Sequence, residues 1–214
     1  MNITEEMLVT LRELVRPWLT EKRYAHTLAV EKEAAALARI YLPEQENKLR
    51  AAALLHDITK KADLPTQLQY CADYGLPVTA EDKCAPKTFH ARTAAAVAAR
   101  EFADYADPEV IDGIRWHTTG HTGMTTFESL VYLADYIEET RTFPDCVTLR
   151  QYFYTNLAKA ETAYEKQKVL QETLLMSFDM TIRGLLEEGA PIGKDTFDAR
   201  NERIYTLKFS DICR

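Results

Sequence analysis

The sequence is short of turn-forming and cross-linking residues, with 7 glycines, 8 prolines and 4 cysteines among 214 residues. Glycine stands at about half its usual share of ~7%, whereas alanine supplies 27 residues. Because alanine favours helix and glycine favours turns, this composition indicates long helices joined by short loops. We expect reduced, structural thiols and no sulfur-ligated zinc, since no CxxC spacing occurs among Cys71, Cys84, Cys146 and Cys213.

Other kinds of segment are also missing. No uncharged apolar run approaches the ~18 residues of a membrane-spanning helix, so we expect no membrane partner. The first residues lack a cationic start followed by an apolar block, so we expect no secretory signal and a cytoplasmic location. The net charge of −7 argues against a nucleic-acid partner, because binding a polyanion usually needs a dense basic face.

Helix signals follow one another along the chain and predict an all-α fold. Polar caps precede segments whose apolar side chains recur at helical spacing; these caps are Thr4, Thr20, Asp107 and Thr125. The segment TTGHTGMT, residues 118–125, breaks the pattern with two glycines. One or two long helices are predicted from Val147 to Gly189, and the one segment with an extended pattern is 204–209. We see no strand pairs and no domain boundary.

Polar residues interrupt the predicted apolar stripes at two places. Asp135 lies beside one stripe, and the doublet His56-Asp57 ends the apolar run AAALL. Burying a carboxylate is unfavourable unless a cation or a metal compensates its charge. The doublet and the distant acid therefore predict a metal site. Each residue alone also has an ordinary explanation: Asp135 as an acid paired with Arg or Lys, and His26 as a satisfied helix histidine.

The combination of these residues resembles the HD-domain superfamily of metal-dependent phosphohydrolases, through the order His26, His56-Asp57, His90, His117 and Asp135. The flanking sequences RYAHT, HDITK, HTTG and ADYIE are similar to those of the YqeK family of symmetrical bis(5′-nucleosyl)-tetraphosphatases, which split diadenosine tetraphosphate into two ADP. The likeness spans about residues 20–200 and ends with PIGKDTFDARN. This chain has His121 where the family usually carries Arg, and Glu139-Thr140 where Pro-Asn commonly precedes the Arg that is kept as Arg141.

The resemblance implies a single HD-type helical bundle over residues 1–200 and a short C-terminal extension over residues 201–214. It also implies two divalent metal ions, with iron preferred and manganese, cobalt or zinc as alternatives. A hydroxide shared by the two metals would attack the substrate. The implied ligands are His26, His56, Asp57 and Asp135 for one metal, with Asp57 bridging to a second metal held by His90 and His117.

The same resemblance implies a small-molecule substrate, a dinucleoside polyphosphate, and leaves a homodimer open. Asp57 and Lys60 are the predicted catalytic residues, because Lys60 follows one turn later and can neutralise the leaving ADP. The predicted substrate-binding residues are Arg23, Lys60, Thr118, Gly120, His121 and Arg141. Alternatives stay open here: Lys60 in a solvated Lys60-Lys61 pair, Arg141 as a surface cation, and His121 as a solvated loop residue or a metal ligand.

Two other functions fit the residues. One is a phosphohydrolase of the same superfamily that acts on mononucleotides or cyclic nucleotides. The other is a metal-bound nucleotide sensor without turnover. The complete set of ligands favours an enzyme over a sensor, because a decayed enzyme commonly loses a ligand.

Overall fold

A computed structural model describes residues 1–209, and every regular element in that range is helical. This confirms the all-α prediction. Contacts divide the described residues into two compact units, 1–118 with 125–140, and 119–124 with 141–209. The boundary expected at residue 200 stays a prediction, and Cys213 lies outside the described residues. Within the described range, no helix combines the length and the apolar character needed to span a membrane.

The first unit contains eight α-helices, which we number in chain order. Their bounds are α1 Glu5–Val15, α2 Glu21–Tyr41, α3 Glu46–Leu55, α4 Leu64–Asp73, α5 Ala80–Cys84, α6 Phe89–Glu101, α7 Pro108–Trp116 and α8 Thr126–Ile137. Three short 3-10 turns, at Arg16–Trp18, Pro43–Gln45 and Pro86–Thr88, each carry proline in one of the first two positions. Proline is tolerated there because no intrahelical bond needs its missing N–H.

The predicted polar caps begin their helices. Thr4, Thr20, Asp107 and Thr125 each accept a hydrogen bond from the N–H three residues later. Thr125 also forms the predicted capping box with Glu128. These caps fix where α1, α2, α7 and α8 start, and so they fix the placement of the polar residues that the helices carry.

Helix α3 directs the His56-Asp57 doublet into the interior of the first unit. The helix packs against α1, α2, α7 and α8, and its last five residues, 51–55, are fully buried. His56 and Asp57 follow directly and are buried as well. Because four helices surround α3, polar groups from several of them can converge at its end.

The second unit contains α9 Pro144–Leu157, α10 Ala163–Glu187 and α11 Lys194–Lys208. Helix α10 packs against both of the others. The extended piece expected at residues 204–209 is wrong, because 204–208 continue α11. The buried positions of α11, Thr196, Ala199 and Arg203, follow helical spacing. Two of the three are polar, so no apolar stripe marks this helix in the sequence.

Candidate metal centre

The six predicted metal ligands lie close together in the first unit, mostly at helix ends. They are His26 in α2, His56 and Asp57 after α3, His90 at the start of α6, His117 at the end of α7, and Asp135 near the end of α8. Three combinations place their ligand atoms within 4.8 Å of one another: His26-His56-Asp57, His56-His117-Asp135 and Asp57-His90-His117. The fold therefore assembles these residues from five separate helices.

Three of the imidazoles are oriented by the main chain. In His56, His90 and His117, Nδ1 lies 2.6–2.8 Å from the carbonyl oxygen of the residue three positions earlier. A carbonyl oxygen can only accept a hydrogen bond, so Nδ1 carries the proton in each ring. Nε2 is then the ring nitrogen that faces the other polar groups of the cluster.

The two carboxylate oxygens of Asp57 face different pairs of histidines. Oδ2 lies 3.4 Å from Nε2 of His56 and 3.9 Å from Nε2 of His26. Oδ1 lies 3.3 Å from Nε2 of His90 and 3.7 Å from Nε2 of His117. The carboxylate of Asp57 therefore lies between two pairs of histidines.

The polar atoms of the cluster fit a metal ion better than they fit one another. Nε2 of His90 and Nε2 of His117 lie 3.1 Å apart, and both rings are protonated at Nδ1, so two lone pairs converge. Among the described residues, Nε2 of His56 and Oδ1 of Asp57 are buried without a hydrogen bond of normal geometry. Asp135 adds Oδ1 at 3.0 Å from Nε2 of His26. A set of nitrogen and oxygen donors without thiolate suits iron, manganese, cobalt or zinc.

The electrostatics of the cluster couple metal binding to protons. Burial alone would lower the pKa of His56, but the carboxylates of Asp57 and Asp135 outweigh it and raise that pKa to about 10. Burial alone would raise the pKa of Asp57, but the imidazoles of His56 and His117 hold it well below its usual value. Burial lowers the pKa of both His90 and His117. Asp57 is therefore an anion, and a metal must displace a proton from His56.

Comparison with a known family places all six clustered residues within one domain. The HD domain matches residues 23–140, which contain all six clustered residues and make up more than half of the chain. The chain belongs to the HD-domain family.

Relatives extend the likeness beyond the HD domain. A Bacillus subtilis protein named bis(5′-nucleosyl)-tetraphosphatase, symmetrical, is 33% identical over 86% of this chain and 90% of its own length. A protein of the same name from Halalkalibacterium halodurans is 32% identical over 92% and 96%. A crystal structure from Clostridium acetobutylicum, described as a predicted HD superfamily hydrolase involved in NAD metabolism, has a TM-score of 0.80 and 31% identity, over 96% of this chain and all of that one. The chain is therefore a metal-dependent hydrolase of the HD-domain family.

Three predicted substrate-binding residues contact the cluster of the HD domain. Nη1 of Arg23 donates to Oδ2 of Asp57 at 2.9 Å. Nζ of Lys60 and Oγ1 of Thr118 lie 3.0 and 3.1 Å from Nε2 of His90. Lys60 thus faces the cluster, whereas the neighbouring Lys61 donates to a main-chain carbonyl elsewhere. Arg23 also holds in place the carboxylate that lies between the two histidine pairs.

The other three predicted substrate-binding residues, Gly120, His121 and Arg141, belong to the second unit. Gly120 and Gly123 have φ values of +61° and +80°, so no continuous helix runs through His121. This removes the helical spacing that would have placed His121 on the same face as His117. Contacts of Gly120, His121 and Arg141 with substrate stay predictions.

The loop that carries His121 is held at both ends by α11. The hydroxyl of Thr196 donates to the carbonyl oxygen of Thr119 at 2.9 Å. The N–H of Gly123 donates to both carboxylate oxygens of Glu202, at 3.0 and 2.9 Å. The C-terminal motif PIGKDTFDARN and the residues after it thus anchor this loop.

Sequence analysis missed one carboxylate of the site, that of Glu138. This side chain is fully buried, and Oε1 lies 3.0 Å from Nδ1 of His26. The N–H and hydroxyl of Thr140 donate to it at 2.5 and 2.8 Å. Its place in ADYIE was visible in the sequence, but its contact with a residue 112 positions away was not.

Proposed function

We propose that this chain hydrolyses dinucleoside polyphosphates symmetrically and splits diadenosine tetraphosphate into two ADP. The observation that carries the proposal is that relatives named for this activity align with 80–92% of the chain. The assembled cluster of six polar residues supports it, because phosphoryl transfer requires the neutralisation of several negative charges at one place.

The reaction adds one water molecule and breaks one P–O bond at the centre of the tetraphosphate. The oxygen of water bonds to one inner phosphorus, and the bridging oxygen leaves with the other inner phosphorus as part of ADP. The protons of water end on the new phosphate oxygens or in the solvent. Both products are ADP, so the position of cleavage is visible in the products alone.

We assign His26, His56, Asp57 and Asp135 to one divalent metal ion, and Asp57, His90 and His117 to a second. Such ions supply Lewis-acid polarisation of phosphoryl oxygens and lower the pKa of water. The contribution of the chain is to fix the donor atoms: main-chain carbonyls orient three imidazoles, and Arg23 orients Asp57. The preference for iron, the homodimer and the cytoplasmic location stay predictions.

Lys60 is the residue proposed to neutralise the leaving ADP. Its ammonium group lies at the ring of His90, on a flexible side chain that can reach an anion beside the cluster. Arg23 is less available for this role, because its guanidinium already donates to Asp57. Arg23 is therefore proposed to orient the metal ligand Asp57, whereas Lys60 is proposed to contact the substrate.

Product analysis tests the proposed function. The full chain, loaded separately with iron, manganese, cobalt or zinc, is incubated with diadenosine tetraphosphate, a mononucleotide, a cyclic nucleotide and NAD. NAD belongs in the panel because a solved relative is described as involved in NAD metabolism. We expect ADP as the sole product from diadenosine tetraphosphate. AMP and ATP in equal amounts would reject symmetrical cleavage, and release of nucleoside and phosphate from the mononucleotide alone would favour the alternative.

A further inference from the structure

His26 differs from the other histidines of the cluster in the hydrogen-bond partner of its Nδ1 atom. Three imidazoles donate from Nδ1 to an uncharged main-chain carbonyl, but His26 faces the carboxylate of Glu138. A carboxylate partner orients an imidazole and also makes it a stronger metal ligand, because negative charge at one nitrogen raises the basicity of the other. His26 is therefore set apart by its environment and not by its position in the family motif.

Glu138 is itself held in place. It is fully buried just beyond the end of α8, where the chain has left the helix. Thr140 donates to one carboxylate oxygen through its N–H and to the other through its hydroxyl. Burial alone would raise the pKa of Glu138, but the hydrogen bonds from His26 and Thr140 outweigh it and lower that pKa.

We propose that Glu138 and Thr140 form a positioning pair that fixes His26 as the strongest nitrogen ligand of the cluster. Glu138 supplies charge and orientation to the ring, and Thr140 keeps the carboxylate in the rotamer that reaches it. The inference rests on the metal role proposed for the cluster. It adds a chemical difference among the four histidines that no motif describes.

The substitution Glu138→Gln tests the charge with little change in shape. One carboxylate oxygen becomes an NH₂ group, which then faces a hydrogen-bond donor, either His26 or Thr140. Glu128→Gln is the matched control, because Glu128 is a buried carboxylate in the first turn of α8, where it caps the helix, and Glu138 follows the last turn. Both variants lose a buried carboxylate, but Glu138→Gln loses the one that lies 3.0 Å from Nδ1 of His26.

The measurement is the dissociation constant of Co²⁺ for the full, metal-free chain, obtained by competition with a chromogenic chelator. Cobalt suits this donor set, and its visible spectrum reports ligand geometry. We expect Glu138→Gln to weaken Co²⁺ binding about 10- to 100-fold and to change the spectrum. Glu128→Gln should lower thermal stability and leave both readouts at the wild-type value.

Thr140 provides a second test if Glu138→Gln does not fold. Thr140→Val removes the hydroxyl donor and keeps the N–H donor, so we expect weaker Co²⁺ binding with a smaller loss. Thr140→Ser should restore the wild-type constant. Equal Co²⁺ dissociation constants for wild type, Glu138→Gln and Thr140→Val would overturn the proposed positioning pair and leave the metal role of the cluster intact. Failure of the wild-type chain to bind Co²⁺ would overturn the proposed metal role as well.

Discussion

The two units of the chain differ in how they hold the histidines assigned to the site. In the first unit, each of four imidazoles has a partner at Nδ1, and the rings are buried or nearly so. In the second unit, His121 is half-buried on a loop whose fixed points are main-chain groups of Thr119 and Gly123. The first arrangement fixes donor atoms, as a metal ion requires. The second fixes the path of the backbone through hydrogen bonds to its main-chain groups.

Removal of the shared carboxylate should break the first arrangement completely. Asp57→Ala removes both oxygens that face the two histidine pairs, so we expect turnover to fall by about 10³-fold or more. Bound metal should fall with it, while helix content measured by circular dichroism stays near wild type. Asp104→Asn, which alters an exposed acid of the same unit, is the control and should change neither. Full activity of Asp57→Ala after metal removal would refute the assignment of the cluster.

A methyl group on Gly120 should break the second arrangement. Gly120 has φ +61°, and an added Cβ would lie 2.7 Å from Cζ of Phe178, a buried side chain of α10. We expect Gly120→Ala to lower the free energy of unfolding by about 2–5 kcal/mol, the sum of backbone strain and overpacking.

Gly123→Ala isolates the backbone part of that cost. Gly123 also has positive φ, but an added Cβ would meet nothing within 4 Å. We expect a loss of about 1–2 kcal/mol for this variant, measured by urea denaturation beside Gly120→Ala. Equal losses for the two variants would show that the contact with Phe178 does not constrain the loop.

The kind of contact that positions each residue explains how much the sequence could predict. The caps Thr4, Thr20 and Thr125 act on N–H groups three residues away, so local sequence was sufficient to place them. The six clustered residues were found because a family motif encodes their order. Glu138 and the helix at 204–208 were missed, since one depends on a contact with a distant histidine and the other buries polar side chains.

Metal loading of the cluster should depend on pH through His56. The pKa of this residue is raised to about 10, so at neutral pH the ring holds a second proton, on Nε2, and must release it to bind a metal. Affinity should therefore fall as pH falls, by about tenfold for each pH unit per proton displaced. Titrations with Mn²⁺ from about pH 8 to about pH 6 check this dependence. An affinity that does not change with pH would show that the metal does not displace a proton from His56.

The smallest effect is expected at His121, where the family usually carries Arg. A neutral imidazole offers one hydrogen-bond donor and no fixed charge, so its contact with a phosphate is weaker than that of a guanidinium. We expect His121→Ala to raise KM for diadenosine tetraphosphate roughly two- to tenfold, the worth of one hydrogen bond, and His121→Arg to lower it. Thr122→Ala, at an exposed position of the same loop, should leave KM unchanged. Metal content should be the same in all three variants, because the predicted ligands all lie in the first unit. Loss of one metal equivalent in His121→Ala would instead make this loop residue a ligand and would contradict the set of six.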